Sequence, residues 1–510
     1  MKPLPIGIQT FRKIIDGNYL YIDKTRQIYQ MIKNPSGAYF LSRPRRFGKS
    51  LTLSTLEEIF LGNRELFRGL WIYDSEYSWR KHPVIRFDFS KQKANEPEAL
   101  IRFIISELNL IAEKYNLALT ETDYYSQFQE LIIKLGKTEK VVILIDEYDK
   151  PIIDHLEDTE LAVKMREVMK GFFTVLKGND AYTRFLLLTG VSKFSKAGVF
   201  SNLNHLTDIT LNDAYSSLVG ITEDELKNGF SEYISDLAKK EKKTEDETLN
   251  MIREWYNGYR FSAEGVSVYN PFSTLLLFEQ KRFEHQWFET GTPEFLVKLM
   301  LKNNYDIMEI PLKTEALGFS SYEVDDLSLT PLLLQTGYLT IKDYNAEDGI
   351  YTLDYPNFEV KKAFLTYFIQ KFRRKEAPGS LIIKLTDAFQ DENLEKCFEV
   401  LREIFAGIEY DLHIPQEKYY QTLFYLTFTL LGFRINTEVK TNLGRIDAVI
   451  ESKSIYIFEF KFSGTKEEAL AQIKDKKYYE KYLNKGKDIV LVGAEFKDRN
   501  IGDYAAELFK

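Results

Sequence analysis

The sequence predicts an α/β fold in three parts: an N-terminal core around a parallel sheet, a mostly helical middle, and a small C-terminal α/β domain. Three observations predict it. Strand-length apolar runs alternate with amphipathic helical stretches over the first 215 residues, the pattern of a mainly parallel sheet. Two of those runs, "YFLS" and "VVILID", are apolar without a break, as in strands covered on both faces. The residues from 416 onward read helix, two or three strands, helix, strand, enough for a core of their own.

In chain order, strands are predicted over 38–42, 84–89, 141–146, 184–191 and 208–211, with helices near 50–60, 97–116, 121–135 and 159–177. The strands are filled by Val, Ile, Leu and Phe. The helices space their apolar residues three and four apart, as Leu53, Leu56 and Phe60 do. From 216 to 415 the pattern is mostly helical, and the charged stretch Lys239–Glu247 reads as a solvated loop or helix face. Residues 416–431 are apolar nearly all round and predict a core helix. At about 150 residues per domain, the 510 residues allow three, expected at 1–215, 216–415 and 416–510.

Composition narrows the class. Apolar residues make up 44% and charged residues 28%, as in ordinary globular proteins. A single cysteine, Cys397, excludes a disulfide framework or a thiolate zinc site within one chain. The five histidines (82, 155, 205, 285 and 413) lack metal-ligand spacing. The N-terminus lacks the layout of a signal peptide and no apolar run reaches membrane length, so a cytoplasmic protein without membrane contact is expected. Net charge is 68 minus 76, or −8, which argues against a chain coated for nucleic acid. Residues 416–510 hold 16 Lys/Arg against 14 Asp/Glu, a mildly basic tail on an acidic body.

"LSRPRRFGKSLTLSTL", residues 41–56, joins a predicted strand to a predicted helix through Gly48-Lys49-Ser50. A loop there points backbone N–H groups and a helix N-terminus at phosphate oxygens. Lys49 would reach the β- and γ-phosphates and Ser50 would hold Mg²⁺. The nucleotide-contacting stretch is Arg45, Arg46, Phe47, Gly48, Lys49, Ser50 and Leu51. Arg43 stands where such a loop has its first glycine. It and its neighbours Arg45 and Arg46 are left three roles by the sequence: binding phosphate, serving a neighbouring subunit, or facing water. Downstream, "VVILIDEYDK" ends a buried strand on Asp146, a costly choice unless a cation meets it. Asp146 is read as holding Mg²⁺ through water, and Glu147 as polarising the attacking water. Thr189, at the end of the next strand, is read as sensing the γ-phosphate. A helix-capping aspartate beside an unrelated triplet is the plainer alternative.

"PIGIQTFRKIIDGNYLYIDKT", "FLSRPRRFGKSLTLSTLEEIF", "LIDEYDKPI", "TGVSKFSKAGVFSNLNHLTDITL" and "WYNGYRF…VYNPFS" resemble the predicted AAA-ATPase-like proteins of bacteria and archaea, over residues 3–280. In that family the arginine-rich loop is the usual form. The resemblance implies a P-loop ATPase core using ATP and Mg²⁺, with Lys49 and Ser50 at the phosphates and Asp146 and Glu147 at metal and water. Asp23 and Lys24 in "YIDKT" are placed on the adenine side. AAA-like sites often lie between protomers, so a homo-oligomer is an open expectation. Arg260 is a candidate for the γ-phosphate from the helical region.

In "GRIDAVIESKSIYIFEFKF", residues 444–462, strand periodicity puts Ile455, Ile457, Glu459 and Lys461 on one face and Tyr456, Phe458, Phe460 and Phe462 on the other. A neighbouring strand brings in Asp447. Asp447 and Glu459 could hold Mg²⁺ while Lys461 stabilises the attacking hydroxide or the phosphorane. An exposed Glu–Lys pair on an edge strand fits the spacing as well. The D-x11-ExK pattern between two helices resembles the PD-(D/E)XK nuclease superfamily, a restriction-endonuclease-like fold that AAA-ATPase-like proteins commonly carry at the C-terminus. The resemblance also implies Glu417 as an extra acidic residue at the metal and Gln472 as the polar residue after the ExK strand. Lys474, Lys476, Lys477 and Lys481 could track a DNA or RNA backbone or form a solvated face. The leading expectation is an ATPase coupled to Mg²⁺-dependent cleavage of DNA or RNA. The alternative is an ATP-dependent switch whose nuclease-like domain binds nucleic acid or a partner without cutting.

Overall fold

The computed structural model describes residues 1–194, 205–287, 296, 299–300, 310–319, 328–372, 378–406, 416–432, 436–442, 445–461, 464–497 and 500–509. They form two compact units, one of 1–295 with 311–360, the other of 296–310 with 361–510.

In the first unit, α1 (Phe11–Asp16) and α2 (Thr25–Ile32) precede a five-stranded sheet. Its strands are β1 (Gly37–Ser42), β2 (Val84–Asp88), β3 (Val141–Asp146), β4 (Thr183–Gly190) and β5 (Thr207–Asp208). They lie in the order β2-β3-β4-β1-β5, every pair parallel. The crossovers carry α3 (Lys49–Phe60), α4 (Pro97–Lys114), α5 (Tyr124–Gly136), α6 (Lys150–Ile153) and α7 (Thr159–Gly178). All six residues of β3 are buried, as its unbroken apolar run requires. Phe128 of α5 stacks on Phe172 of α7 at 4.5 Å, and Phe87 of β2 meets both edge-on. Because β4 is inserted between β1 and β3, the carboxyl ends of β1 and β3 open on the edge where α/β sheets take ligands.

The same unit continues with α8 (Glu223–Gly229), α9 (Ser231–Glu241), α10 (Glu245–Tyr256), α11 (Pro271–Gln280) and α12 (Leu329–Thr336). Leu226, Phe230, Leu237, Ile252, Tyr256 and Leu277 build a core shared by α8 to α11. The charged stretch at 239–247 is where α9 ends, with Lys242 at φ +56°, and α10 begins in a Thr244–Glu247 capping box. The stretch 216–415 also holds an antiparallel sheet, β6 (Leu312–Glu315), β7 (Thr340–Asn345) and β8 (Ile350–Asp354), in the order β6-β8-β7. A mostly helical reading passes over it because "LKTE" and "TIKDYN" are short and half polar.

The helices α13 (Phe358–Phe372), α14 (Pro378–Gln390), α15 (Leu394–Ala406) and α16 (Gln416–Gly432) lead to the second sheet. Its strands are β9 (Asn436–Asn442), β10 (Arg445–Glu451), β11 (Ile455–Lys461), β12 (Ile489–Lys497) and β13 (Asn500–Phe509), with α17 (Lys466–Asp475) between β11 and β12. The order is β13-β12-β11-β10-β9, with β11 and β12 parallel and the other pairs antiparallel. Phe460 meets Phe424 of α16 at 4.2 Å, and Phe458 meets Phe389 of α14 at 5.9 Å. Ile455 and Ile457 pack on Ile473 of α17 across the other face. Gly493 lets α17 lie close, since a Cβ there would stand 2.3 Å from the Lys466 carbonyl. The edge strand β13 goes beyond the predicted order. Its "GDYAAE" centre lacks the β-branched alternation that marks a strand.

Candidate functional site

The stretch after β1 turns sharply. Arg46 at φ +67° and Gly48 at φ +101° are both left-handed, and α3 starts at Lys49. The Lys49 ammonium is buried and folds back on its own loop, donating to the carbonyls of Arg43 (2.8 Å) and Pro44 (3.0 Å). Burial pulls its pKa below the usual lysine value, while Glu147, Asp146 and Asp149 oppose that shift. Beside it lies a cleft of about 340 Å³ lined by Arg45, Arg46, Phe47, Gly48, Lys49, Ser50, Leu51, Glu147 and Lys150. The predicted phosphate-contacting stretch is thus brought together with Glu147 at one opening.

Asp146 is nearly inaccessible at the end of β3. Its Oδ1 accepts from the Thr189 hydroxyl at 2.7 Å and from the Glu147 amide at 3.1 Å. Glu147 follows at φ +48°, a backbone conformation costly for a residue with a Cβ and common at functional turns. Burial raises the Glu147 pKa, with Lys49 the main opposing charge. Asp149 is buried beneath, accepting from the Val191 amide at 2.9 Å; burial pushes its carboxyl up to about 6.

Other predicted residues lie elsewhere. Thr189 is fully buried and reaches Asp146 rather than the cleft. Arg43 turns into the core. Its guanidinium donates to the carbonyls of Ser42 (2.8 Å) and Thr210 (2.7 Å) and lies 4.2 Å above the Phe261 ring, and burial lowers its pKa to about 9. Arg260 lines a small cavity beside Arg43 and is absent from the cleft wall. Asp23 accepts from the amides of Thr25 (2.8 Å) and Trp71 (2.7 Å), so it stitches a turn. Lys24 is paired with Glu225 at 2.6 Å and borders an apolar cavity of about 100 Å³ against Leu51, Thr55, Leu218 and Leu275.

In the second unit, β11 is the central strand, and Glu459 is fully buried on it. An exposed pair on an edge strand is therefore not what is seen. Lys461 Nζ stands 3.9 Å from Glu459 Oε1 and donates to the Gln472 side-chain oxygen on α17. The antiparallel register sets Asp447 directly opposite Glu459. The side chains of Asp447 and Glu417 lie outside the described residues. On the exposed flank, Lys474 pairs with Glu507 and Lys477 with Glu480.

The regions that hold these two sites match models of known families. A family model described as Predicted AAA-ATPase matches residues 5–200, and a PD-(D/E)XK nuclease superfamily model matches residues 415–502. A protein described as "Uncharacterized protein in vnfD 5'region", from Azotobacter chroococcum mcd 1, is 40% identical over 97% of this chain and 96% of its own length. The chain belongs to the AAA-ATPase-like family. The C-terminal part of this AAA-ATPase-like protein is a PD-(D/E)XK nuclease superfamily domain. Among the described residues no helix is long and apolar enough to cross a membrane.

Sequence reasoning passed over several residues that the AAA-ATPase-like fold brings to the cleft. Lys150, three residues after Glu147, lines it while paired with Asp154 at 2.8 Å. Gln9, Ser90 and Phe272 line it as well. The signal for Lys150 was present in "DEYDK", three residues beyond the glutamate. Gln9 and Phe272 lie in "PIGIQTF" and "VYNPFS", stretches that carry the family resemblance without a site role attached to them, and Ser90 lies in no motif. In the nuclease-like domain, Glu495 of β12 stands in register with Lys461 and was likewise unmarked.

Proposed function

We propose that the N-terminal cleft binds ATP with Mg²⁺ and hydrolyses it, and that the C-terminal domain cleaves DNA or RNA phosphodiesters with a divalent metal. The observation that carries the first half is the cleft wall itself. Four cations, Arg45, Arg46, Lys49 and Lys150, face one opening with the Ser50 hydroxyl and Glu147, a set suited to a polyphosphate and a metal. Lys49 would exchange two loop carbonyls for β- and γ-phosphate oxygens, recovering full charge–charge bonds in place of neutral ones. Ser50 and Asp146 would hold Mg²⁺, which when bound neutralises phosphate charge. Thr189 fixes Asp146 through Oδ1 and leaves Oδ2 for that role. Glu147, raised in pKa and turned into the cleft, accepts the proton of the attacking water. The apolar cavity beyond Leu51 is the place for the base.

For the second half, a carboxylate taken out of water within a strand needs positive charge nearby. Lys461 supplies one at 3.9 Å, and a divalent ion held by Glu459 and Asp447 would add another. Gln472 steers the Lys461 ammonium, which would then stabilise the pentacovalent phosphate. The test is a cleavage assay on single- and double-stranded DNA and RNA, with Mg²⁺ or Mn²⁺ and with or without ATP. Cleavage that needs metal and disappears in Lys461→Ala supports the reading. ATP hydrolysis by pure protein that cuts none of these substrates would replace it with a switch that binds nucleic acid or a partner.

A further inference from the structure

We propose that Trp287 is a positioning residue for the phosphate loop: its indole N–H, backed by buried Glu359, holds the Arg45 carbonyl and keeps a glycine-poor loop in its anion-cradling shape. The inference rests on the nucleotide reading above.

A loop of sequence Arg-Pro-Arg-Arg-Phe-Gly has little intrinsic preference for the turn it makes. Arg46 is left-handed, which costs free energy for any residue carrying a Cβ and persists only when its surroundings over-determine it. Those surroundings come from far along the chain. Phe47 meets Tyr259 edge-on at 4.7 Å, and its carbonyl accepts from the Gly220 amide at 3.2 Å. Gly337, at φ +90°, lies so near Pro44 that a Cβ there would stand 2.9 Å from the proline ring. Arg43 is anchored in the core by two carbonyls and Phe261. Between these fixed points lies Arg45, whose carbonyl accepts the Trp287 indole N–H at 3.1 Å.

Trp287 is itself fully buried and held. Its backbone N–H donates to Glu359 at 2.7 Å. Glu359, at the start of α13, also accepts from the Ser273 hydroxyl at 2.9 Å. Ser273 belongs to the first turn of α11, where Asn270 caps the amides of Phe272 (2.9 Å) and Ser273 (3.1 Å). Phe272 in turn lies 4.9 Å under the Arg46 guanidinium and lines the cleft. One buried carboxyl thus ties together the indole that grips Arg45 and the helix end that supports Arg46. Losing the N–H frees the middle of the loop while leaving both ends anchored, so the grip on phosphate suffers first.

The experiment measures Mg·ATP binding to the full chain by calorimetry, with circular dichroism and thermal midpoints alongside. Trp287→Phe removes the N–H. A benzothienylalanine at 287 removes it too but keeps the ring's shape, which covers the case in which the phenylalanine variant misfolds. Trp79→Phe is the control, since that indole N–H meets no acceptor among the described residues. The expected result is a Kd raised about tenfold in both 287 variants, equal to about 1.4 kcal/mol, with the fold intact and the Trp79 control unchanged. A folded benzothienylalanine protein that binds Mg·ATP as tightly as wild type overturns the proposal and leaves the nucleotide reading standing. A wild-type protein that binds no Mg·ATP overturns both.

Discussion

The two sites of this molecule solve opposite problems with opposite materials. The N-terminal cleft gathers cations on irregular backbone: Arg46, Gly48 and Glu147 are all left-handed, and the wall draws on segments from Pro5 to Leu275. The C-terminal site puts a buried carboxylate on regular backbone. Glu459 and Lys461 lie on one central strand, Asp447 stands across the hairpin, and Gln472 comes from the next helix. A cleft for a polyanion needs many donors from several directions and open space, so it is assembled from loops. The proposed metal site calls for a few oxygens held rigidly, which neighbouring strands are suited to supply at short range. The difference teaches that the first site depends on tertiary structure far from its motif, and the second mainly on strand register.

Each prediction bears on that contrast. The largest effect is expected at the short-range site. Lys461→Ala should reduce metal-dependent cleavage by about a thousandfold and leave ATP binding unchanged, measured on oligonucleotides of both kinds. Cleavage surviving at wild-type rate would remove the ammonium from the chemistry. Next, Glu147→Gln should keep ATP bound while hydrolysis falls by about a hundredfold, read by phosphate release under single turnover. Equal turnover would sink the role assigned to the left-handed glutamate.

Smaller effects probe the scaffolding. Arg43→Ala leaves a cavity and unsatisfied carbonyls at Ser42 and Thr210, so stability to urea should fall by about 3 kcal/mol. A loss of nucleotide affinity without a loss of stability would instead return Arg43 to the phosphate. Glu359 gives the pH dependence. Burial pushes its carboxyl up to about 8 from an ordinary 4.5, against hydrogen bonds from Trp287 and Ser273. Between those values the unfolded chain is ionised while the folded carboxyl keeps its proton, so its contribution to stability falls as pH rises and levels off above 8. Glu359→Gln lacks that slope. The variant should gain on wild type by about 1 kcal/mol per pH unit between pH 5 and 8, as read from urea midpoints. A constant difference across that range would show that the carboxyl does not titrate there.

How much of this was legible in the sequence follows from the same contrast. Strands β1 to β4 were readable to within a residue at most ends, because a strand buried on both faces must be an apolar run with polar punctuation. The meeting of Lys49 and Ser50 with Glu147 at one cleft was readable, because a phosphate-loop pattern and an acidic strand end stand out in sequence; Asp146, at that strand end, is nearly inaccessible and is not among the residues lining the cleft. The pair Glu459 and Lys461 was readable as sharing a face, although spacing alone did not tell a buried central strand from an edge. The direction of Arg43 was not legible, since its partners Thr210 and Phe261 are set by folding over long separations. The same holds for Trp287 and Glu359, two residues in no motif that meet 72 positions apart. The β6–β8 sheet was hidden by short, half-polar strands whose pairing, rather than their pattern, makes them strands.

The most direct measurement is equilibrium binding of Mg·ATP to the full chain beside Lys49→Ala. The account predicts saturable binding of one nucleotide per wild-type chain and loss of that binding when the buried ammonium is removed. Equal affinity in the two proteins, or no binding by either, would contradict it.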